Sequence, residues 1–589
     1  MPMLRLPRPS VSTSAALIGA LTALSVLAAP AVSRAQALGE PVLDTGTNEA
    51  EFLPGEIVVD VKDDLSEAAI KALGDEYGIE LRDNSPGIKG DGNIELAAVP
   101  QGRLAELMDR LSRDARVEHV EPQAVARAYF TPNDPKYGDQ WHLTRAGAEK
   151  AWDYSCGQGV TVAVIDTGVA CYDKGPFQKG TDLTETRCTA GYNFVNDSEV
   201  AADDHGHGTH VAGTIAQSTN NGFGVAGLAY CARLMPIKVL SKTGSGTMAD
   251  VAEGIRFAAD HGAQVMNLSL GSPYRSKVVE DAVKYAAAKG VLVVAAAGNS
   301  GRSVGYPAAH KEAFAVSATD KNDNIAWFSS RGPQVGIGAP GVQVTQQTVC
   351  QGGQNKCEQF GVFNGTSMAA PHVAGVAAML VAQGITDPVA LRATLERTAR
   401  PKTEKNLFGA GILDGGNATR STHLWHLGMR LAALAALAGI VFARIRAKRG
   451  TVSKRPLGLF AALFGATGLL PFLPLLSVPA RLGALRPAAE LLMRPLGEWD
   501  LVLSADLHRY LVLASAAPVL LVTALAFGAR RGRVFAGGLA LGTAALLGQM
   551  ALSGETLYAF GALGAKVWML GNAALCLWVA RIGLDERKA

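Results

Sequence analysis

The sequence has almost no excess of either charge. Its 55 lysines and arginines face 52 aspartates and glutamates over 589 residues, a net of +3. A nucleic-acid-binding chain would carry a basic surplus, so no such partner is expected. No two of the seven cysteines are separated by two residues, which removes the spacing of a zinc knuckle. No nucleotide-binding motif occurs. Charge itself is missing from much of the last third: the runs 456–480, 510–529 and 534–554 are uncharged. Each has about the 20 residues needed to cross a bilayer. Two further runs come close, 424–443 with His426 and Arg430 near its start, and 557–580 with Lys566 inside it. A membrane region over 424–583 with about five helices is therefore expected. Within it Gln549, Lys566 and Asn572 are the polar residues to account for.

The rest of the apolar excess sits at the N-terminus. Arg5 and Arg8 precede an apolar stretch over 14–29, and Ala35-Gln36-Ala37 offers small residues for a cut. Residues 1–37 thus have the layout of an export signal, with an uncleaved anchor as the alternative. Residues 38–50 are a polar linker. Basic residues cluster after the first expected span (Arg444, Arg446, Lys448, Arg449, Lys454, Arg455), after the third (Arg530, Arg531, Arg533) and after the fifth (Arg581, Arg587, Lys588). The positive-inside rule then puts 38–423 outside the cytoplasmic membrane and the C-terminus inside. Six cysteines lie between 156 and 357 in this exported part. They suggest three disulfides out of 15 possible pairings. Cys171–Cys188 and Cys350–Cys357 are local pairs, which leaves Cys156 with Cys231.

Two globular segments precede the membrane region. In 51–130, strand-like stretches at 56–61, 93–99 and 117–128 alternate with helical spacing at 65–77 and 103–113, with room for another strand near 80. That order suits a small α+β ferredoxin-like sandwich. From 131 to 416, short β-branched runs alternate with Ala-rich helical stretches. This pattern predicts an α/β unit, a mostly parallel sheet with helices on both faces.

Three segments of the second unit carry chemistry. Val162-Ala163-Val164-Ile165-Asp166-Thr167-Gly168 ends a buried strand in an acid. His205-Gly206-His207-Gly208-Thr209-His210 opens a helix with a histidine. Asn364-Gly365-Thr366-Ser367-Met368-Ala369 opens a helix with a serine. A serine hydroxyl needs a neighbouring base to become a nucleophile. A histidine accepts and returns a proton near neutral pH, and a carboxylate fixes its tautomer. A helix start directs its dipole at a developing oxyanion.

Together, in the order Asp, His, Ser, these segments resemble the subtilisin (subtilase) family of serine proteases over about 285 residues, 132–416. The resemblance implies an endopeptidase acting on protein or peptide substrates, with Ser367 as nucleophile, His207 as general base and Asp166 orienting it. His205 is then a loop residue and His210 packs one turn further on. It implies Asn299, in Ala296-Ala297-Gly298-Asn299, as oxyanion donor beside the Ser367 amide. Ser269, Leu270 and Gly271 would pair with extended substrate. Ala297, Gly298 and Gly305 would line a pocket whose open floor suits large apolar or aromatic P1 side chains. It also makes 51–130 an inhibitory propeptide, cut from its own chain near Tyr129 or Phe130. No cofactor is required for catalysis. A structural calcium at Asp134 and Asn221 is one reading of Thr219-Asn220-Asn221-Gly222, and a solvated turn is the other. Two further functions stay open: a catalytically silent peptide-binding sensor, and a processing subunit of a membrane secretion complex.

Overall fold

The computed structural model describes residues 52–84, 93–124, 130–349, 359–556, 559 and 561–587. The expected signal, the linker, Tyr129, Cys350 and Cys357 lie outside these residues. The chain divides into two units, Met1–Ala128 and Tyr129–Ala589.

The first unit has the order β1 (Phe52–Val61), α1 (Glu67–Tyr77), β2 (Arg82–Asp83), β3 (Asn93–Ala98), α2 (Leu104–Leu111), β4 (Val117–Ala124). The strands form an antiparallel sheet in the order β2-β3-β1-β4. This is the expected ferredoxin-like arrangement, with β2 filling the gap near 80. Ile57, Val59 and Val61 alternate inward along β1 and meet Ile70, Leu73, Leu107 and Leu111 of the helices. Ser66 caps α1 through the Ala69 amide.

The second unit is built on a ten-stranded, mostly parallel sheet. Its central strands are β5 (Thr161–Asp166), β6 (Arg233–Lys238), β7 (Val265–Leu268), β8 (Leu292–Ala296), β9 (Ala313–Thr319) and β10 (Val335–Pro340). In space they run β6-β5-β7-β8-β9-β10, all parallel. Every residue of β5 is buried, because both faces of the sheet are covered. Val162 and Val164 face one apolar core, which holds α3 (His207–Ala216) and a later central helix. Ala163 and Ile165 face the other, under α4 (Met248–Asp260) and α5 (Lys277–Ala288). The central helix, α6 (Thr366–Ala382), is buried on all sides except at Ser367. Its alanines make that possible, since helices can approach closely only where side chains are small. Disulfides join Cys156 to Cys231 and Cys171 to Cys188, as expected.

The helical region differs from the expectation in number. Among the described residues three helices are long and apolar enough to cross a membrane, where five were expected. They lie in α7 (Gly415–Ala447), α10 (Arg530–Ser553) and α11 (Gly561–Leu584). The run 456–480 holds α8 (Pro456–Thr467), which stops at Gly468 and is followed by Pro471, Pro474 and Pro479. The run 510–529 holds α9 (Ala517–Ala526), which Pro518 starts and which lasts 10 residues. Hydropathy registers the apolar length of both runs, and proline and glycine set their helical length. The expected boundary at 416 also falls inside a helix, since Asp414 caps α7 through the Asn417 amide. Gln549 accepts from Arg430, and Asn572 accepts from the Ala516 amide and donates to the Trp568 carbonyl, so both serve helix packing. Lys566 is exposed.

Candidate active site

Strand order in the second unit reverses at β5, which lies between β6 and β7. In parallel sheets the crevice at the carboxyl ends beside such a point is where ligands bind. Asp166 ends β5. Ser269, Leu270 and Gly271 follow β7, and Ala297, Gly298 and Asn299 follow β8. The expected site residues therefore come from three neighbouring strands and from the starts of α3 and α6.

His207 opens α3, and its Nδ1 lies 2.8 Å from Asp166 Oδ1. The approach depends on Gly208, where a Cβ would stand 2.1 Å from the Gly168 carbonyl. Burial alone would lower the imidazole pKa, but the Asp166 carboxylate outweighs it and holds the pKa above the ordinary 6.5. The two neighbouring histidines differ. His210 is fully buried, hydrogen-bonded to the carbonyls of Val344 and Gly361 and stacked on Phe363, and burial pushes its pKa down to about 3. His205 sits in the loop and accepts from the His207 amide at 3.3 Å.

Ser367 is the second residue of α6 and is partly exposed. Its hydroxyl donates to the Ser269 carbonyl at 3.1 Å, and the Ser269 hydroxyl donates back to the Ser367 carbonyl at 2.7 Å. Asn299 uses its side-chain oxygen to accept from both the amide and the hydroxyl of Thr366, at 2.9 Å each. That turns its NH2 toward Gly365, where a Cβ would lie 3.3 Å away. The amide donor is thus held at the base of the serine helix. The segments expected to face substrate also meet. Ser272 and Tyr306 exchange backbone hydrogen bonds of 2.8 Å, and the Gly305 amide donates to the Ala297 carbonyl at 2.9 Å. A side chain at 305 would point between these segments, 3.2 Å from the Ser272 carbonyl.

Three residues were not anticipated from the sequence. Asp203 takes five donors: the Thr167 hydroxyl, the amides of His205 and Gly206, and the amide and hydroxyl of Thr209. It shapes the loop that delivers His207, and its signal was its place just ahead of the histidine motif. Thr366 aims Asn299 and also accepts from the Gly298 amide. Asp182 lies beside the two residues expected to hold calcium. Asp134 accepts from the amides of Asn220 and Asn221, and the Asn221 side chain donates to Asp182 at 2.9 Å. Burial raises the pKa of Asp134, and that of Asp182 to about 7.

The sequence profile described as "Subtilase family" matches residues 157–411. The thermophilic serine proteinase of Bacillus sp. (strain AK1) is 36% identical over 361 residues, 61% of this chain and 85% of that protein. The chain belongs to the subtilase family. Subtilisin Savinase of Lederbergia lenta is 42% identical over 48% of this chain and 98% of its own length. Thermitase of Thermoactinomyces vulgaris is 40% identical over 46% and 92%. This subtilase is a subtilisin-like serine endopeptidase, and its α/β unit is joined to an N-terminal antiparallel sheet and a C-terminal helical region.

Proposed function

We propose that this subtilase is a membrane-held endopeptidase of exported proteins, made as a self-cleaving precursor. The observation that carries the proposal is the hydrogen bond between His207 and Asp166 at the end of β5. In this reading Asp166 holds the imidazole through Nδ1 and leaves Nε2 to take the serine proton. On substrate binding the Ser367 hydroxyl leaves the Ser269 carbonyl, gives its proton to His207 and attacks the scissile carbonyl. The Asn299 amide and the Ser367 backbone N–H receive the oxyanion. His207 then protonates the leaving amine, and water releases the acyl group by the same steps in reverse. Substrate pairs along Ser269–Gly271, and the pocket beside Gly305 takes a large apolar P1 side chain.

Of the two expected positions, we propose a cut N-terminal to Phe130. In support, that residue packs edge-on against Trp152 in the core of the second unit. The released segment, 51–129, acts as inhibitor. A structural calcium is part of the proposal: Asp134, Asp182 and Asn221 would hold it. Their oxygen donors suit a hard cation, and two buried carboxylates favour one. Among the described residues no group of three or more histidine, cysteine, aspartate or glutamate side chains is gathered as for a metal, and the set proposed here has two carboxylates and one amide.

The topology rests on where the basic loops gather. Ser453 donates to the Leu584 carbonyl, Glu586 to the Thr451 carbonyl and Arg587 to the Lys448 carbonyl. These contacts bring 444–455 and 581–587 to one end of the bundle, and the catalytic unit attaches at the other. That supports a cytoplasmic face for the first end and an extracytoplasmic face for the second.

The test is labelling of the full chain with a fluorophosphonate probe. Label should fall on Ser367 and vanish in Ser367→Ala, whose precursor stays uncut. A labelled Ser367→Ala chain, or a mature N-terminus outside 120–140, rejects the reading.

A further inference from the structure

The helical region meets the catalytic unit at the end of the sheet opposite the active site. Just before β5, a Cβ at Gly159 would stand 1.9 Å from the Leu501 carbonyl. At the start of β6, Arg233 donates to the Leu503 carbonyl. Just before β8, the Lys289 carbonyl accepts from Arg509 at 3.2 Å. These are the amino ends of strands whose carboxyl ends carry Asp166 and Asn299. The central helix repeats the geometry. Ser367 is at the start of α6, and the residues just past its other end meet the helical region. Gln383 donates to the Thr419 carbonyl, the Gly384 carbonyl accepts from Thr556, and the Thr386 and Asp387 amides donate to the Glu555 carbonyl. Seventeen residues of helix separate the two ends, about 25 Å at 1.5 Å per residue.

The junction is built of packed and hydrogen-bonded contacts, and α7 begins within it. The Gly415 amide, at the start of α7, donates to the Ala146 carbonyl of the catalytic unit. Leu501 and Ala480 belong to the same apolar core as Trp152, Val162 and Met379. Arg486 is buried, donates to the Trp152 carbonyl at 2.6 Å and pairs with Glu490, which also pairs with Arg494. Arg430 of α7 pairs with Glu498 in the same layer. A buried ion network of this kind holds one geometry, since any rotation would leave charges unpaired.

We infer that the cleft is held facing away from the membrane, with the junction layer and about 25 Å of α6 between the bilayer and Ser367. The substrates are then exported proteins, or extended segments of anchored ones, whose scissile bond stands well clear of the surface. Bonds next to a membrane anchor are out of reach. The inference rests on the membrane-held protease reading and names its substrate class.

The full chain in phosphatidylethanolamine/phosphatidylglycerol vesicles tests it. A lipid-anchored reporter with one cleavage sequence is placed in the same vesicles, on Gly/Ser spacers of about 4, 10, 20 and 40 residues. Such spacers reach roughly 11 to 35 Å. The same sequence as a soluble peptide is the control. Cleavage at the shortest spacer should be at least tenfold slower than at the longest, with the rise near 20 residues, and the soluble peptide should be cut throughout. Equal rates at all spacers with the soluble peptide cut overturn the inference alone. An uncut soluble peptide overturns the protease reading and the inference with it.

Discussion

The two ends of the parallel sheet treat polar side chains in opposite ways. At the carboxyl ends, His207 and Ser367 remain partly exposed, and their neighbours, Asp203 and Thr366, hold the backbone and amides around them. At the amino ends, Arg486, Glu490 and Arg494 are sealed from solvent and pair with one another, and Arg486 also donates to the Trp152 carbonyl. One end keeps polar groups available for a partner that comes and goes. The other uses the same types of group to lock two regions together. Charge alone does not distinguish a site from a joint; access does.

Removing Asp166 should break the first end most severely. Asp166→Asn leaves the His207 imidazole without the carboxylate that raises its pKa, while burial still lowers it. Turnover should fall by about 10⁴-fold. Only the neutral imidazole accepts a proton, so kcat/KM rises with pH through the folded pKa. The midpoint of that limb should lie above 6.5 in the wild type and move down in the variant, measured with a soluble peptide. A midpoint that does not move would mean that another group governs the limb. The sign for stability is the reverse: a raised histidine pKa stabilises fully below its unfolded value, and this is lost as pH rises through the folded value.

Glu490→Ala should break the second end. It strands two buried guanidinium groups, a loss of about 3–5 kcal/mol. Thermal unfolding of the full chain in detergent should show it, with kcat on a soluble peptide unchanged for the molecules that remain folded. If kcat fell in parallel with stability, the two ends would not be independent. Asn299→Ala is the mirror experiment. Turnover should drop about 10²- to 10³-fold, the loss expected for one oxyanion donor, with little change in KM or melting temperature. A rise in KM at constant kcat would move Asn299 from the oxyanion to ground-state binding.

The active end of the sheet was legible in the sequence, and the joint was not. Asp166 ends a periodic run and His207 and Ser367 open theirs, so local pattern located them, and the structure brings Asp166 and His207 into contact across 41 residues. The choice of His207 over His205 and His210 followed the motif, and the burial of His210 now gives it a physical reason. The sandwich of 51–130 and the parallel sheet followed from periodicity. The joint depends on pairings between 146–159 and 477–509, such as Arg486 with Trp152 and Ser477 with Asp153. No local spacing records such contacts. Thr366 and Asp182 were missed for the same reason, since each acts through a partner distant in sequence.

The proposed calcium loop is the smallest lever and lies between the two ends in character, because its carboxylates are buried and, among the described residues, pair with no cationic side chain. Burial holds the Asp182 pKa at about 7, well above its ordinary 3.8. Ionising it costs the folded state, so without a cation stability falls as pH rises between these two values and levels off above 7. A divalent cation binds the ionised form and reverses that loss. Calcium at about a hundred times its Kd would add about 2.7 kcal/mol. Melting of the full chain, with calcium or with a chelator, should therefore differ by a few degrees at pH 8 and by much less at pH 5. Asp182→Asn should remove most of the pH 8 difference, because the amide has no charge for the cation to relieve. A difference that is the same at both pH values would place calcium elsewhere, and no difference at pH 8 would leave Asp134, Asp182 and Asn221 as a solvated turn.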